Sequence, residues 1–365
     1  TTGDNNVAIG YQSLTANTTG DRNVAVGTNA LDAATTASDN TIIGYQAGTS
    51  LTTGPENTAL GRGALATATT AQHNVAIGKE ALNAATTISN SVAVGMNALN
   101  NTTTGSTNTA MGYAAMNNNT EGAGNVAIGN NALDANTTAD YNTALGSSAM
   151  TDNTTGTQNV AVGRTALANN TTADNNTAVG YQTLLANTTG NSNVAVGSAA
   201  LDANTTAHYN TAVGQAALGA NTTGQWNTAF GYNSADSITT AHKNSAYGSY
   251  ALHVNTTGTD NTCLGYAAGD TISTGSTNIC IGSISDVSTG VASGQIAIGY
   301  NVTCTANATV TIGYGSDKAS LSLDGSDTSW AATSDIRLKD NVEDSLAGLD
   351  FINELRPVTY KWKAK

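Results

Sequence analysis

The chain has 365 residues, of which only 10% are charged and 5% are aromatic, and it contains 39 glycines. This composition excludes an ordinary core of large apolar side chains, and no apolar run approaches the ~20 residues of a membrane span. The net charge of −13 argues against nucleic acid as a partner, because phosphate binding needs clustered lysine and arginine. Residues 1–3 (TTG) read as the tail of a repeat unit without an initiator methionine, so we expect further sequence upstream.

A 17-residue repeat runs through most of the chain. Glycine recurs every 17 residues from Gly10 to Gly299, each time ending a block such as NVAVG at residues 23–27. The residue four places earlier is Asn in all but two units, the residue two places earlier is Ala in all but three, and the preceding residue is always apolar. Representative Asn and Gly positions are Asn23 and Gly27, Asn125 and Gly129, and Asn193 and Gly197.

The repeat length predicts the fold class. Seventeen residues are too few for the helix pairs of common helical repeats, and Asn, Thr and Gly are poor helix formers. The pattern predicts an all-β, parallel β-solenoid of about 18 coils, each with two short strands and two turns, in which equivalent positions stack ~4.8 Å apart. The repeated Asn and Gly are then structural, because Asn side chains can form a hydrogen-bonded ladder and Gly permits a positive φ at a corner.

The strand block points to an oligomer. In residues 23–27, Val24 and Val26 lie on one face of the strand and Ala25 on the other, so both faces are apolar. A single narrow coil would bury little apolar area, and a strand that is apolar on both faces needs a second layer. Neighbouring chains in a symmetric assembly would supply that layer.

The Asn-x-Ala-(Val/Ile)-Gly block resembles the head repeats of trimeric autotransporter adhesins. The resemblance covers residues 6 to about 313 and implies a left-handed parallel β-roll with three chains around one axis, hence a homotrimeric rod. The uniform 17-residue unit and the Thr-Thr pair that follows most of the repeated glycines by eight and nine residues depart from that family.

The repeat decays after Gly299, and a different segment follows. We expect a solenoid shaft over residues 1–315, a neck or linker over 316–333, and a C-terminal segment over 334–365. That segment reads SDIRLKDN, then a helical apolar pattern, then LRPVTYKWK, with the helix ending before Pro357. It resembles the start of the intramolecular chaperone domain of phage tailspikes, tail fibres and endosialidases.

The resemblance implies a segment that trimerises the chain, assists folding and then cuts itself off. It assigns Ser334 as nucleophile, Lys339 as general base and Thr333–Ser334 as the scissile bond. The chemistry is reasonable, because a serine hydroxyl needs an adjacent base and a desolvated lysine can serve. The segment is shorter than the family's whole domain, so single-turnover cleavage and a truncated segment that does not cleave both stay open. We expect no other enzymatic activity.

Variable residues just before the repeated Asn form a candidate receptor-binding patch. His208 and His242 share one coil position, and Tyr209, Trp226 and Lys243 share the next, one per coil. Such a patch could stack on a sugar ring, because Tyr and Trp offer an apolar face with a polar edge. The alternative is ordinary variation at a permissive position. The four histidines lack zinc-ligand spacing, so we expect no metal and no cofactor.

The cysteines follow the repeat. Cys263 and Cys280 replace the repeated Ala in adjacent coils, within reach of a disulfide, while Cys304 has no partner. We favour free thiols, because cysteine behaves as a small buried apolar residue at such positions.

These features favour a structural fibre protein of a phage tail, extracellular on the virion. It would serve as a rigid trimeric shaft that contacts a host-surface glycan or protein, joined upstream to other tail proteins and without membrane insertion. One alternative is the head of a bacterial trimeric surface adhesin, exposed on the cell. Another is an ice-binding solenoid that uses its stacked Thr-Thr pairs.

Overall fold

A computed structural model of the chain describes residues 2–323 and the strand Ala331–Ala332. These residues form one all-β sheet of 21 strands wound as a parallel β-solenoid, which confirms the predicted fold class. No helix in this part of the chain is long and apolar enough to cross a membrane. The predicted helix beyond Ser334 lies outside the described residues, and the left-handed winding stays a prediction.

Strands recur once per coil and are short. Seventeen of them have three residues each: β1 (Val7–Ile9), β2 (Val24–Val26), β3 (Thr41–Ile43), β4 (Thr58–Leu60), β5 (Val75–Ile77), β6 (Val92–Val94), β7 (Thr109–Met111), β8 (Val126–Ile128), β9 (Thr143–Leu145), β10 (Val160–Val162), β11 (Thr177–Val179), β12 (Val194–Val196), β13 (Thr211–Val213), β14 (Thr228–Phe230), β15 (Ser245–Tyr247), β16 (Thr262–Leu264) and β17 (Ile279–Ile281). The last four are β18 (Ile296–Tyr300), β19 (Thr309–Tyr314), β20 (Asp317–Ser322) and β21 (Ala331–Ala332).

The pairing register follows the repeat. From β1 to β18 each strand pairs in parallel with the next one, and each residue faces its equivalent 17 residues later, as Ala161 faces Ala178. The step shortens at β19, where Ile298 faces Ile312. β20 then turns back antiparallel on β19, and β21 pairs antiparallel with β20. Strands β20 and β21 of the sheet therefore lie within the predicted neck.

Each coil contains one strand, so the predicted second strand is wrong. The residues after the glycine form turns in which the second and fourth have left-handed backbones, as Ser148 (φ 54°) and Met150 (φ 52°) do. The backbone still bonds from coil to coil, since Met150 N–H donates to the Ala166 carbonyl at 3.0 Å and Thr154 N–H to the Thr171 carbonyl at 2.9 Å. Hydrogen bonds between coils thus replace a regular second strand.

The solenoid closes its own core within one chain. In the coil of residues 142–158, Ala144, Ala149, Met150 and Asn153 are fully buried. The interior is a column of small side chains around one larger one per coil, which suits a narrow coil. Small side chains thus give each narrow coil a closed core, while the outward side of the strands stays uncovered within one chain.

Two buried asparagine ladders line the interior. The repeated Asn forms the predicted ladder: the Asn159 side-chain amide donates to Asn142 Oδ1 at 3.2 Å and to the Ala173 carbonyl at 2.8 Å. A second ladder runs through the middle of the rod, where Asn170 Nδ2 donates to Asn153 Oδ1 at 2.7 Å. Buried amides satisfied in this way oppose any slip of the 17-residue register.

Candidate functional site

The two residues before each repeated Asn form an edge of the rod, here called the variable edge. The first of the pair often accepts a backbone hydrogen bond from the preceding coil. His208 Nδ1 accepts from Asn191 N–H at 2.8 Å, and His242 Nδ1 accepts from Gln225 N–H at 2.9 Å. Because Nδ1 is the acceptor, the proton of each neutral imidazole lies on Nε2.

The second residue of the pair has a left-handed backbone and an exposed side chain. Tyr209 (φ 61°) and Trp226 (φ 58°) are 55% and 50% exposed. Their rings are stacked, with centroids 6.1 Å apart and planes 9° apart. The His208 ring lies 5.9 Å from Tyr209, and the His242 ring lies 6.4 Å from Trp226. The structure thus brings the predicted aromatic residues into one continuous patch.

A shallow cleft of about 270 Å³ lies beside this patch. Its lining residues are Trp226, His242, Lys243, Thr259 and Asp260. Thr259 and Asp260 were missed by the sequence analysis, although they occupy the same two positions one coil beyond His242 and Lys243. Neither Lys243 nor Asp260 forms an ion pair within residues 2–323, so both charges remain available to a ligand.

A second aromatic cluster lies on the same coils after the corner glycine. Tyr250 packs edge-on against Tyr232 at 5.3 Å and Tyr266 at 6.1 Å. His253 packs edge-on against Tyr250, and its Nδ1 lies 2.6 Å from Asp236 Oδ1. Burial raises the pKa of the Asp236 carboxyl, and the neighbouring His253 partly offsets that rise. Three of the four histidines lie between residues 208 and 253, so both aromatic clusters include histidine rings.

The residue before each repeated glycine points outward. Together these residues form a continuous row of apolar side chains along the rod, here called the outer face. Leu145 is 43% exposed there, and Phe230 and Tyr247 stack on each other at 5.1 Å. Other exposed members are Ile9, Leu60, Met111, Leu264 and Ile312. Tyrosines flank this row two residues further along several coils, including Tyr45, Tyr113 and Tyr181. An apolar row of this length on one chain is typical of an interaction surface.

The threonine pairs present one file of hydroxyls. The first threonine of a pair uses its hydroxyl within the rod, as Thr154 Oγ1 donates to the Thr171 carbonyl at 3.0 Å. The second, such as Thr155, is exposed. The pairs therefore present one row of free hydroxyls and not two parallel rows, which weakens the ice-binding alternative.

The cysteines are buried and unbridged, as predicted. Cys263 faces Cys280 in the β16–β17 register. The hydrogen bond between the Cys280 thiol and Cys263, together with burial, raises the pKa of the Cys280 thiol, which keeps it protonated and unreactive. No group of three or more His, Cys, Asp or Glu side chains in the described residues could hold a metal ion.

Ser334 and Lys339, the predicted cleavage residues, lie outside the described residues. Their segment nevertheless has a clear relative. Residues 334–365 match the family model of the chaperone of endosialidase. The matched chaperone segment begins at Ser334, the predicted nucleophile, and this confirms the resemblance seen in the sequence. No curated protein and no solved structure matches the chain. A β-solenoid shaft followed by a chaperone segment indicates a protein of the phage tail-fibre type.

Proposed function

We propose that the chain forms the rigid shaft of a homotrimeric phage tail fibre and carries a surface that attaches to the host cell. The outer face is the observation that carries this proposal. It is apolar in every coil and stays half-buried or exposed in a chain whose core is already closed, which supports a further layer that covers it in the assembled protein.

A second and third copy of the chain are the partners that fit this face. The outer face runs along the whole solenoid, roughly 80 Å at the usual strand spacing, and a partner of equal length and equal repeat would match it coil by coil. Parallel copies around one axis would also keep their chaperone segments at the same end. The resemblance to trimeric adhesin heads and to trimeric tail fibres favours three chains.

Static light scattering of the purified chain tests the assembly. We expect a mass of about 110 kDa, three times the 36.5 kDa of one chain. A mass of 36.5 kDa across the micromolar range would contradict the trimer and leave the outer face unexplained.

Attachment to the host is assigned to the variable edge at Tyr209, Trp226 and Lys243, flanked by His208 and His242. Exposed stacked rings next to a cleft support this role, since aromatic side chains bind sugar rings and protein surfaces well. Three copies of the site on one rigid rod would add avidity to a weak single contact. The shaft would stand on the virion and join other tail proteins upstream.

Self-cleavage is proposed at the bond between Thr333 and Ser334. Ser334 Oγ would attack the carbonyl carbon of Thr333 as Lys339 accepts its proton, and the Thr333–Ser334 C–N bond would break as the Ser334 nitrogen is protonated. Water would then hydrolyse the resulting ester, releasing the Thr333 carboxylate and restoring the Ser334 hydroxyl in a single turnover. Intact-mass spectrometry of the assembled chain tests the position: a fragment ending at Thr333 that disappears in Ser334→Ala is the expected result. A fragment with another end, or one that persists in Ser334→Ala, would contradict the assignment.

A further inference from the structure

We infer that the cleft beside Trp226 binds an uncharged sugar ring, with Thr259 and Asp260 as part of the site. This inference rests on the proposed attachment function and adds the class of ligand. Four features of the cleft carry it: an aromatic wall, mixed hydrogen-bonding groups, opposed charges and a rigid backbone.

The aromatic wall is one face of the Trp226 indole. Tyr209, from the preceding coil, stacks on Trp226 and does not line the cleft. The other lining residues come from the two following coils, on the side of Trp226 away from Tyr209. An indole that stacks on a neighbouring ring and also borders a cleft is suited to contact the C–H face of a pyranose.

The polar groups include both donors and acceptors. Lys243 only donates, ionised Asp260 only accepts, and the Thr259 hydroxyl can do either. His242 adds a donor, because its Nδ1 is occupied by Gln225 N–H and its proton lies on Nε2. Sugar hydroxyls also donate and accept, so this combination fits a polyhydroxylated ring better than a phosphate or a purely apolar ligand.

The charges select against ionic sugars. Lys243 and Asp260 contribute one positive and one negative charge to the same cleft, and the chain as a whole carries −13. A carboxylated or sulfated sugar would approach the Asp260 carboxylate inside an acidic protein, and like-charge contacts reduce affinity. A cationic ligand would meet the Lys243 ammonium. An uncharged ring avoids both conflicts.

The backbone that holds these side chains is fixed from coil to coil. Lys243 N–H donates to the Gln225 carbonyl at 3.0 Å, and Asp260 N–H donates to the His242 carbonyl at 3.1 Å. A site built on ordered coils loses little entropy on binding. The volume of about 270 Å³ suits one terminal ring rather than an enclosed oligosaccharide.

Isothermal titration calorimetry with three defined probes tests the ligand class. The probes are maltotriose and chitotriose, both uncharged, and trigalacturonate, which is anionic. We expect at least one uncharged probe to bind at least about tenfold more tightly than trigalacturonate. Trp226→Ala should weaken that binding by about tenfold or more. Asp260→Asn should reduce the difference in dissociation constant between the uncharged and the anionic probes.

Tyr141→Ala is the matched control, because Tyr141 occupies the same coil position as Trp226, is 66% exposed and lies outside the cleft. It should leave every affinity unchanged. Tighter binding of trigalacturonate, or equal affinities in Trp226→Ala and the parent chain, would overturn the inference.

Binding of the labelled chain to a panel of bacterial strains separates this inference from the attachment function. Cell binding that is lost in Trp226→Ala but retained in Tyr141→Ala, together with no binding of either uncharged probe, would overturn the uncharged sugar and preserve attachment at the variable edge. Cell binding that is unaffected by Trp226→Ala would overturn that attachment site itself.

Discussion

Replacing Leu145 and Val179 by aspartate is expected to convert a trimer of about 110 kDa into a folded monomer of 36.5 kDa. Both residues belong to the outer face, two coils apart, at the ends of β9 and β11. In the proposed trimer the two substitutions would place six carboxylates in an apolar interface. Burying an unpaired charge costs several kcal/mol, so the equilibrium should shift from the trimer to the separated chains.

The separated chain should stay folded, because the core lies on the other side of each strand. Ala144 and Ala178 point inward and are fully buried, and neither substitution changes their surroundings. The asparagine ladder through Asn142, Asn159 and Asn176 is also untouched. Far-ultraviolet circular dichroism of the variant should therefore match that of the parent chain, while light scattering reports the lower mass.

Thr155→Asp with Thr189→Asp is the matched control. These two threonines lie in the same coils as Leu145 and Val179, are exposed, and receive the same added charge away from the outer face. The control should remain at about 110 kDa. If the Leu145 and Val179 variant also remains a trimer, the outer face is not the interface. Loss of the trimer in both variants would implicate net charge instead.

The sequence determined the coil register because a solenoid stacks each residue on its own equivalent. A repeat of 17 residues therefore specified which residues meet, including the in-register Ala161 and Ala178 and the ladder at Asn159. The stacking of Tyr209 on Trp226 followed from the same rule. Predictions of this kind need only the period, which carried no insertion over the regular coils.

The backbone conformation within a coil was harder to predict, because it opposes the conformational preferences of the residues that adopt it. Met150 and Leu133 have left-handed backbones, with φ of 52° and 54°, although such residues rarely adopt them in isolation. Burial of their side chains and hydrogen bonds between coils outweigh that cost. The repeat length predicted a second strand in each coil, whereas the chain makes turns that contain two left-handed residues.

The polar residues of the candidate site were hard to recognise from the sequence. Thr259 and Asp260 occupy two positions at which many polar and charged residue types occur along the rod. Only the geometry places them opposite Trp226 across a cleft. The acceptor role of His242 Nδ1 also depends on where the Gln225 N–H points, which no single sequence reveals.

The corner glycine gives the prediction with the largest effect on stability. Gly163 has φ of +136°, a backbone region that residues with a side chain rarely adopt. A Cβ at this position would also collide with the carbonyl oxygen of Gly180, the corner of the next coil. Gly163→Ala should therefore destabilise the chain by at least about 3 kcal/mol, from backbone strain together with the clash.

The damage should spread to the adjacent coils. Gly163 N–H donates to the Leu145 carbonyl at 2.7 Å, and Gly180 N–H donates to the Val162 carbonyl at 2.8 Å, so moving one corner disturbs the bonds on both sides. Because coils stabilise one another mainly through nearest neighbours, the rod should open in its middle. We expect a lower midpoint in thermal unfolding and new protease cleavage between about residues 150 and 180.

Gly63→Asn is the control that separates the close contact between corner glycines from the effect of a positive φ alone. Gly63 also has a positive φ, +65°, but a Cβ there would lie 3.5 Å from Glu80 Cγ, an ordinary contact. Asn29 and Asn97 occupy the same coil position with φ of 55° and 60°. Gly63→Asn should therefore keep the midpoint of thermal unfolding within about 1 °C of the parent chain, since an Asn with a left-handed backbone adds little strain. Equal midpoints for Gly163→Ala and Gly63→Asn would show that close contact between corners does not limit the stability of the rod.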